Sequence, residues 1–482
     1  MNVLNSLEPQ NVFRFFEEIA SIPHGSNNLQ KISDYLVAFA NERNLKVIRD
    51  EALNVIIFKD GTAGYETSAP VILQGHMDMV AVKEENCRKN LETEGLDLEV
   101  SDGFISAKGT SLGGDDGIAV AYALAVLDSD TIAHPPLEVV ITTNEEIGLL
   151  GAAALDCSVL KGRIMLNMDS EDEGIFTAGC AGGATADMVI PVAREAFDGV
   201  KMHLELKDFK GGHSGQEINA QRANANKILG RILLALKDES VSFRLITANG
   251  GEKDNAIARF AAADLAVAAE DVSKAKEAVL KITEIVKSEY HTTDVDAKIT
   301  FTEDGKAAEA LDADSTLRVI RLLHHTPYGV MKYSYEIKGL VQTSLNCGVF
   351  KFDEAGAHLI FSVRSSVSSE KDELLGRLSD LAELLGGKCN VYGAYPAWEY
   401  RADSKVRDLI VDDYKKLTGK EPRIEVIHAG LECGMFSDKL PGLDAISFGP
   451  DMDDIHTFHE KLNIESAKRG FELLVEVLKD LK

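Results

Sequence analysis

Val71-Ile72-Leu73-Gln74-Gly75-His76-Met77-Asp78-Met79-Val80 puts an imidazole two residues ahead of a carboxylate, at the end of an apolar run. Val71 to Leu73 read as a short buried strand. Residues i and i+2 of an extended chain share a side, so His76 and Asp78 face one site, with Asp78 as hydrogen-bonding partner of the imidazole. A His-x-Asp pair alone is commonly an ordinary loop contact. Here the arrangement recurs: Asp115-Asp116, Glu145-Glu146, Asp169 and His456 each follow an apolar run or open a predicted helix.

Upstream of this stretch, Leu7 to Ala20 and Leu29 to Asn41 carry helical spacing, and Leu45 to Arg49 and Asn54 to Phe58 read as strands. Downstream, a polar excursion runs to Asp102. Gly113-Gly114-Asp115-Asp116-Gly117 then opens a helix of small and apolar residues, Ile118 to Leu127, that is expected to be buried on most of its circumference. Asp115 reads either as a metal ligand at a sharp turn or as the N-cap of a buried helix, which needs no chemistry. Leu137 to Thr143 form a branched-residue strand that delivers Asn144-Glu145-Glu146, and Arg163 to Met168 form another that ends in Asp169. Strands alternating with helices indicate a mostly parallel sheet, whose sites form beyond the carboxyl ends of the strands. All of these candidates lie there.

After Gly179-Cys180-Ala181-Gly182-Gly183 the pattern changes. Residues 200–209 and 241–248 read as strands flanking a helix at 219–237, followed by a strand at 261–269 and a helix at 271–290. Residues 314–324, 343–350, 356–366 and 369–386 repeat an order of helix, strand, strand, helix. An inserted α+β domain of two related halves is expected over 185–396. From Ala397 the alternation resumes with a helix at 403–417, strands at 423–427 and 443–448, and a closing helix at 464–481. A final strand is expected to bring His456 to the same sheet edge. The first domain therefore comprises 1–184 and 397–482.

A chain of 482 residues exceeds what one core usually supports, so two domains fit its size. Its 45% hydrophobic and 27% charged residues are those of a soluble globular protein. A net charge of -27 excludes a basic face for nucleic acid or an anionic membrane. There is no run of eighteen apolar residues and no basic-then-apolar amino-terminal segment, so a cytoplasmic placement is expected. The six cysteines include no Cys-x-x-Cys pair, which fits free thiols in a reducing compartment.

Two imidazoles and three carboxylates suit a pair of divalent cations about 3.5 Å apart with one carboxylate bridging them. A further carboxylate must take the proton from the attacking water. Adjacent Glu145 and Glu146 offer one ligand and one base, and spacing does not assign them.

These residues fall in a known pattern. Gly75-His76-Met77-Asp78, Gly113-Gly114-Asp115-Asp116-Gly117, Glu145-Glu146-Ile147-Gly148, Asn167-Met168-Asp169-Ser170-Glu171, Gly211-Gly212-His213-Ser214-Gly215 and His456-x-x-x-Glu460 resemble the co-catalytic di-zinc aminoacylase and carboxypeptidase family. Gly182-Gly183, Arg222-Ala223-Asn224-Ala225-Asn226 and Gly430-Leu431-Glu432-Cys433-Gly434 look like its aminoacyl-histidine dipeptidase branch. The resemblance implies an α/β catalytic domain with an inserted α+β lid. His76, Asp115 and Asp169 would hold one zinc and Asp115, Glu146 and His456 the other, with Asp115 bridging. It further implies Glu145 as general base, Asp78 as the group orienting His76, and a cis Asp115-Asp116 peptide. His213 would stabilise the oxyanion, Asn255 contact the substrate and Arg364 bind its terminal carboxylate. Glu432, or a neighbouring acid, is expected to hold the substrate ammonium and His428 to line the same pocket. The last motif departs from the family in having Phe458 and His459, so His459 competes with His456 as ligand; the spacing to Glu460 favours His456.

The function expected from this resemblance is metal-dependent hydrolysis of dipeptides with a free amino terminus, including Xaa-His and β-alanyl-histidine. The expected mechanism is attack by a metal-bridging hydroxide whose proton Glu145 passes to the leaving amine. Mixed nitrogen and oxygen ligands favour zinc, with manganese or cobalt as alternatives. The rival is an N-acyl-amino-acid deacylase or carboxypeptidase on the same scaffold; a non-catalytic metal-binding protein is disfavoured because Glu145 sits beside a full ligand set. A small peptide is the expected partner, with a homodimer formed through the lid.

Overall fold

The computed structural model describes residues 3–482. The chain divides into two compact units. The first holds the residues up to Cys180 together with Tyr400–Ile427 and Leu431–Lys482; the second holds Ala181–Glu399 and His428–Gly430. The three residues 428–430 therefore belong with the second unit, whereas the sequence expectation put them in the first.

The first unit is built on an eight-stranded sheet in the order Lys46–Arg49, Val55–Lys59, Leu137–Thr142, Val71–His76, Ile164–Asn167, Asp444–Ser447, Ile175–Cys180, Arg423–Ile427. Its centre is parallel: Val71–His76 lies between Leu137–Thr142 and Ile164–Asn167, and Ile164–Asn167 pairs with Asp444–Ser447 in the same sense. The first two strands are antiparallel additions at one edge. All six residues of Val71–His76 and all six of Leu137–Thr142 are buried, as a parallel sheet covered on both faces requires. The covering includes Gln10–Ala20, Gly114–Asp128 and Ile464–Asp480, packed through Phe13, Phe16, Tyr122 and Phe471. Residues Ile118–Leu127 are buried throughout, and Tyr122 Oη donates to the Ala467 carbonyl at 2.5 Å. A separate four-stranded sheet in this unit has the order Met452–Asp453, Lys461–Asn463, Phe104–Ala107, Leu98–Ser101.

The second unit contains an antiparallel sheet in the order Lys298–Leu311, Arg194–Lys207, Ala261–Val267, Phe243–Gly250, Val341–Asp353, Gly356–Ser365, Gly182–Ile190, Lys388–Tyr395, with Gly329–Tyr333 added against Val341–Asp353. The chain order explains its two halves. Arg194–Leu311 runs strand, helix, strand, strand, helix, strand, and its four strands lie in the order fourth, first, third, second. If Gly182–Ile190 is taken as the first strand of the other half, the remaining strands and the helices Ala313–His325 and Ser368–Leu384 give the same order in mirror sequence along the sheet. One half is thus inserted after the first strand of the other. The short helix-flanked motif buries one face of each half in a common core containing Leu204, Leu229, Leu265, Leu345, Phe361 and Leu378.

Candidate metal centre

The parallel strands deliver their chemistry at their carboxyl ends. His76 closes its strand opposite Thr142, and Gln74 stands opposite Asn167, two residues before Asp169. Asp115 comes from the loop ahead of the buried helix. Gly113 there has φ 67°, Asp115 itself is non-helical, and the Asp115–Asp116 peptide is cis. Gly75 lets the helix approach: a Cβ at that position would sit 2.5 Å from Asp116 Oδ2 and 2.8 Å from Ala119 Cβ.

Asp115 lies at the middle of the cluster. His76 Nε2 is 3.1 Å from its Oδ1, and His456 Nε2 is 3.0 Å from its Oδ2. Asp169 Oδ1 lies 3.6 Å from the same His76 nitrogen, and Glu146 Oε2 lies 2.9 Å from the same His456 nitrogen. One carboxylate therefore faces two imidazoles, each accompanied by a second carboxylate. Ligand-type atoms of His76, Asp115 and Glu146 fall within 4.8 Å of one another, as do those of His76, Asp116 and Asp169. In the second group Asp116 is already engaged, because its Oδ2 accepts the His76 main-chain N–H at 3.1 Å.

The electrostatics are those of a cation site. Burial alone would lower the His76 pKa, but Asp169, Asp115 and Asp78 outweigh it and raise it well above the usual value. Hydrogen bonds to Asp115 and Glu146 push His456 up to about 11. Burial raises Asp169, which its neighbouring carboxylates reinforce, while the two imidazoles hold Asp115 low despite its burial. Glu146 Oε1 is buried and unpartnered. Carboxylates crowded in a desolvated space with histidines as their counter-charges fit two divalent cations.

Glu460 fixes the loop that carries Asp115. Its carboxylate accepts the N–H groups of Leu112 at 2.8 Å, Gly113 at 3.1 Å and Gly114 at 2.7 Å. His456 reaches the cluster from a turn with φ 60°, not from the end of a strand as expected. The physical reason is the Glu460 anchor, which holds the segment after Met452–Asp453 beside the Asp115 loop. The His459 main-chain N–H donates to Thr457 Oγ1 at 3.1 Å, and its ring centroid lies 4.4 Å from that of Phe458.

Asp78 lies against the His76 imidazole. The His76 Nδ1 bond at 3.0 Å is to the Asp78 main-chain carbonyl, with the carboxylate 3.6 Å away. The strand ends at His76, so Asp78 is no longer in the i, i+2 geometry of an extended chain. Its carboxylate instead accepts from Ser26 Oγ at 2.9 Å and from the Glu145 N–H at 3.0 Å, fixing the backbone from which Glu145 projects. Burial, with Asp169, Glu432 and Glu146 nearby, raises the Glu145 carboxyl above its usual range.

Glu432 is fully buried, and its Oε1 is unpartnered. Its Oε2 accepts from Gln74 Nε2 at 2.5 Å and Thr142 Oγ1 at 2.6 Å, and Gln74 Oε1 accepts from Asn167 Nδ2 at 2.5 Å. This network ties together three strands that deliver His76, Glu145-Glu146 and Asp169. Burial pushes Glu432 up to about 8. Gln74, Thr142 and Asn167 were not singled out in the sequence, because nothing in a strand pattern marks polar residues that pair with one another.

The other four expected substrate contacts lie in the second unit. His213 Nδ1 accepts from the N–H groups of Gly215 and Gln216 at 3.2 and 3.3 Å, and burial lowers its pKa. Asn255 is exposed, and its carbonyl accepts the Ser214 N–H at 2.9 Å. Arg364 Nη1 donates to Tyr395 Oη at 3.2 Å. His428 Nε2 lies 2.7 Å from Ser344 Oγ, and Ser344 stands opposite Arg364 in the sheet.

Two imidazoles sharing one buried carboxylate at the carboxyl edge of an α/β sheet define a metal-dependent hydrolase. The chain belongs to Peptidase family M20/M25/M40, whose pattern matches residues 72–480. It is 39% identical over 485 aligned positions to the cytosol non-specific dipeptidase of Escherichia coli (strain K12), spanning 100% of this chain and 99% of that protein. The crystal structure of aminoacylhistidine dipeptidase from Vibrio alginolyticus superposes with a TM-score of 0.93 at 38% identity, covering 99% of this chain and 98% of the other. Aminopeptidase PepT from Bacillus cereus shares the fold at 15% identity and a TM-score of 0.55, over 98% and 99% of the two chains. The expected family and the α/β architecture with its inserted unit are thus established, as is a metallopeptidase.

Proposed function

We propose that the protein is a cytosolic dipeptidase that hydrolyses dipeptides with a free amino terminus, Xaa-His and β-alanyl-histidine among them, using two zinc ions. The observation that carries this reading is the Asp115 carboxylate with one oxygen on His76 and the other on His456. His76, Asp115 and Asp169 would hold one ion, and Asp115, Glu146 and His456 the other. Bound there, two cations supply Lewis acidity toward water and the scissile carbonyl. Glu145, whose backbone Asp78 fixes, takes the proton from the attacking water and returns it to the leaving amine. His213 stabilises the oxyanion, Arg364 receives the substrate's terminal carboxylate, and Asn255 and His428 complete the contacts. Full-length identity to a cytosolic dipeptidase supports the substrate class and the compartment. No helix among the described residues is long and apolar enough to cross a membrane. A homodimer formed through the inserted unit completes the proposal.

The test is hydrolysis of β-alanyl-histidine, alanyl-histidine and N-acetyl-histidine by purified protein, with and without chelator and added zinc. Cleavage of the first two alone, lost with chelator and restored by zinc, is the expected result. Cleavage of the acetylated compound alone would assign a deacylase, and bound metal with no cleavage would sink both readings.

A further inference from the structure

Gly183 and Gly430 are left without a role by the metal centre, and they meet at one side chain. In the sheet of the second unit, Ser344 stands opposite Arg364, Arg364 opposite Gly183, and Gly183 opposite Tyr395. Directly opposed residues present their side chains to the same face. Arg364 and Tyr395 are therefore two strands apart, about 10 Å at the usual strand spacing, with Gly183 between them. They nonetheless bond, Arg364 Nη1 donating to Tyr395 Oη at 3.2 Å. The bond exists because position 183 has no side chain: a Cβ there would lie 2.5 Å from Tyr395 Oη and 2.6 Å from its Cζ. Gly430 leaves the other side of the ring open in the same way, with a Cβ 2.9 Å from Tyr395 Cε2. The Tyr395 carbonyl accepts from Lys371 Nζ at 3.0 Å, which fixes the backbone beneath the ring.

The remainder of the row leaves donor capacity free beside Tyr395. Arg364 Nε is buried and has no partner, so part of the guanidinium fork is held in place and not yet used. On the other side Ser344 binds His428, whose imidazole burial and the Arg364 charge push down to about 3. That ring is neutral at physiological pH and does not compete with Arg364 for a negative group.

We infer that Tyr395, seated between Gly183 and Gly430, is a positioning residue that fixes the Arg364 guanidinium for a substrate carboxylate and so sets the requirement for a free carboxyl terminus. This rests on the proposed role of Arg364. A fork held in one rotamer loses less entropy on binding than a free arginine, and a hydrogen bond to a charged group sets how much affinity is at stake.

The experiment compares alanyl-histidine with alanyl-histidine amide in the wild type, Tyr395→Phe and Arg364→Met, each as full-length metal-loaded protein. Tyr395→Phe keeps the ring and removes only the hydroxyl, and an unchanged melting temperature verifies that the fold is retained. The expected result is a KM for the acid raised about tenfold with kcat unchanged and the amide unaffected, while Arg364→Met abolishes the preference for the acid. If Arg364→Met abolishes that preference but Tyr395→Phe leaves both substrates alone, or weakens both equally, the positioning role is overturned and the carboxylate site stands. If Arg364→Met keeps the preference, Arg364 does not hold the carboxylate, and both readings fall.

Discussion

Glu145 and Glu146 are neighbours in sequence with different surroundings. Glu146 reaches His456 at 2.9 Å, whereas Glu145 has its main-chain N–H pinned by Asp78 and a carboxyl that burial and nearby acids keep above its usual range. Glu145→Ala is expected to retain both metal ions and lose activity by about 10²- to 10⁴-fold, the usual share of a general base. Metal content and turnover measured on the same preparation check it; loss of metal would mean that Glu145 is a ligand. The residues legible in the sequence, His76, Asp115, Glu146 and Asp169, share one property: each lies where a buried strand ends or a buried helix begins, and those ends are marked by apolar runs. The Glu432 contacts are not legible in sequence, because a glutamate after Gly430-Leu431 has the same appearance whether it faces a substrate or hydrogen-bonds to Gln74 and Thr142. Asp78 meets His76 through its main-chain carbonyl and, at 3.6 Å, its carboxylate, although the strand ends at His76 and the i, i+2 geometry does not extend to it.

The approach of the Val71–His76 strand to the helix beginning at Gly114 is the closest constraint on the site. Gly75→Ala would push a methyl group into Asp116 Oδ2 and Ala119, neither of which has room to withdraw. Overpacking of this kind typically costs about 1–3 kcal/mol. The expected outcome is a lower urea midpoint together with weaker metal binding, read by denaturation and by competition with a chromogenic chelator; an unchanged midpoint would show that the strand and helix can move apart. Parallel central strands were readable from their uninterrupted branched residues. The antiparallel edge and the shared strand order of the two inserted halves were not, since they depend on which strands pair across the chain, such as Val55–Lys59 with Leu137–Thr142 and Gly182–Ile190 with Gly356–Ser365. His456 was assigned to a strand end for the same reason: the Glu460 contacts that hold its turn span some 350 positions.

For the molecule as a whole, the site concentrates negative charge in a chain that already carries -27. Asp115, Asp116 and Asp169 lie together with little solvent to screen them. Cations bound to the native state alone stabilise it by mass action, about 4 kcal/mol at a thousandfold excess over Kd. Chelation is therefore expected to lower the melting temperature and added divalent metal to restore it, followed by calorimetry. A melting temperature insensitive to chelator would argue against a metal centre at this cluster. Size, composition and charge indicated two domains and no basic surface, but did not reveal that the first unit is made from three separate stretches of chain.

The Glu460 carboxylate and the His456 imidazole also set an order in time. A growing chain emerges with His76, Asp115, Glu146 and Asp169 in its first 169 residues, yet the groups that clamp the Asp115 loop and occupy its second oxygen come near the end. At ordinary translation rates the roughly 290 residues in between take about 15 to 60 seconds to synthesise. During that interval the nascent protein lacks only the His456 imidazole of this cluster and the Glu460 clamp on the Asp115 loop, so the second imidazole side of Asp115 is completed only after nearly the whole chain has been made.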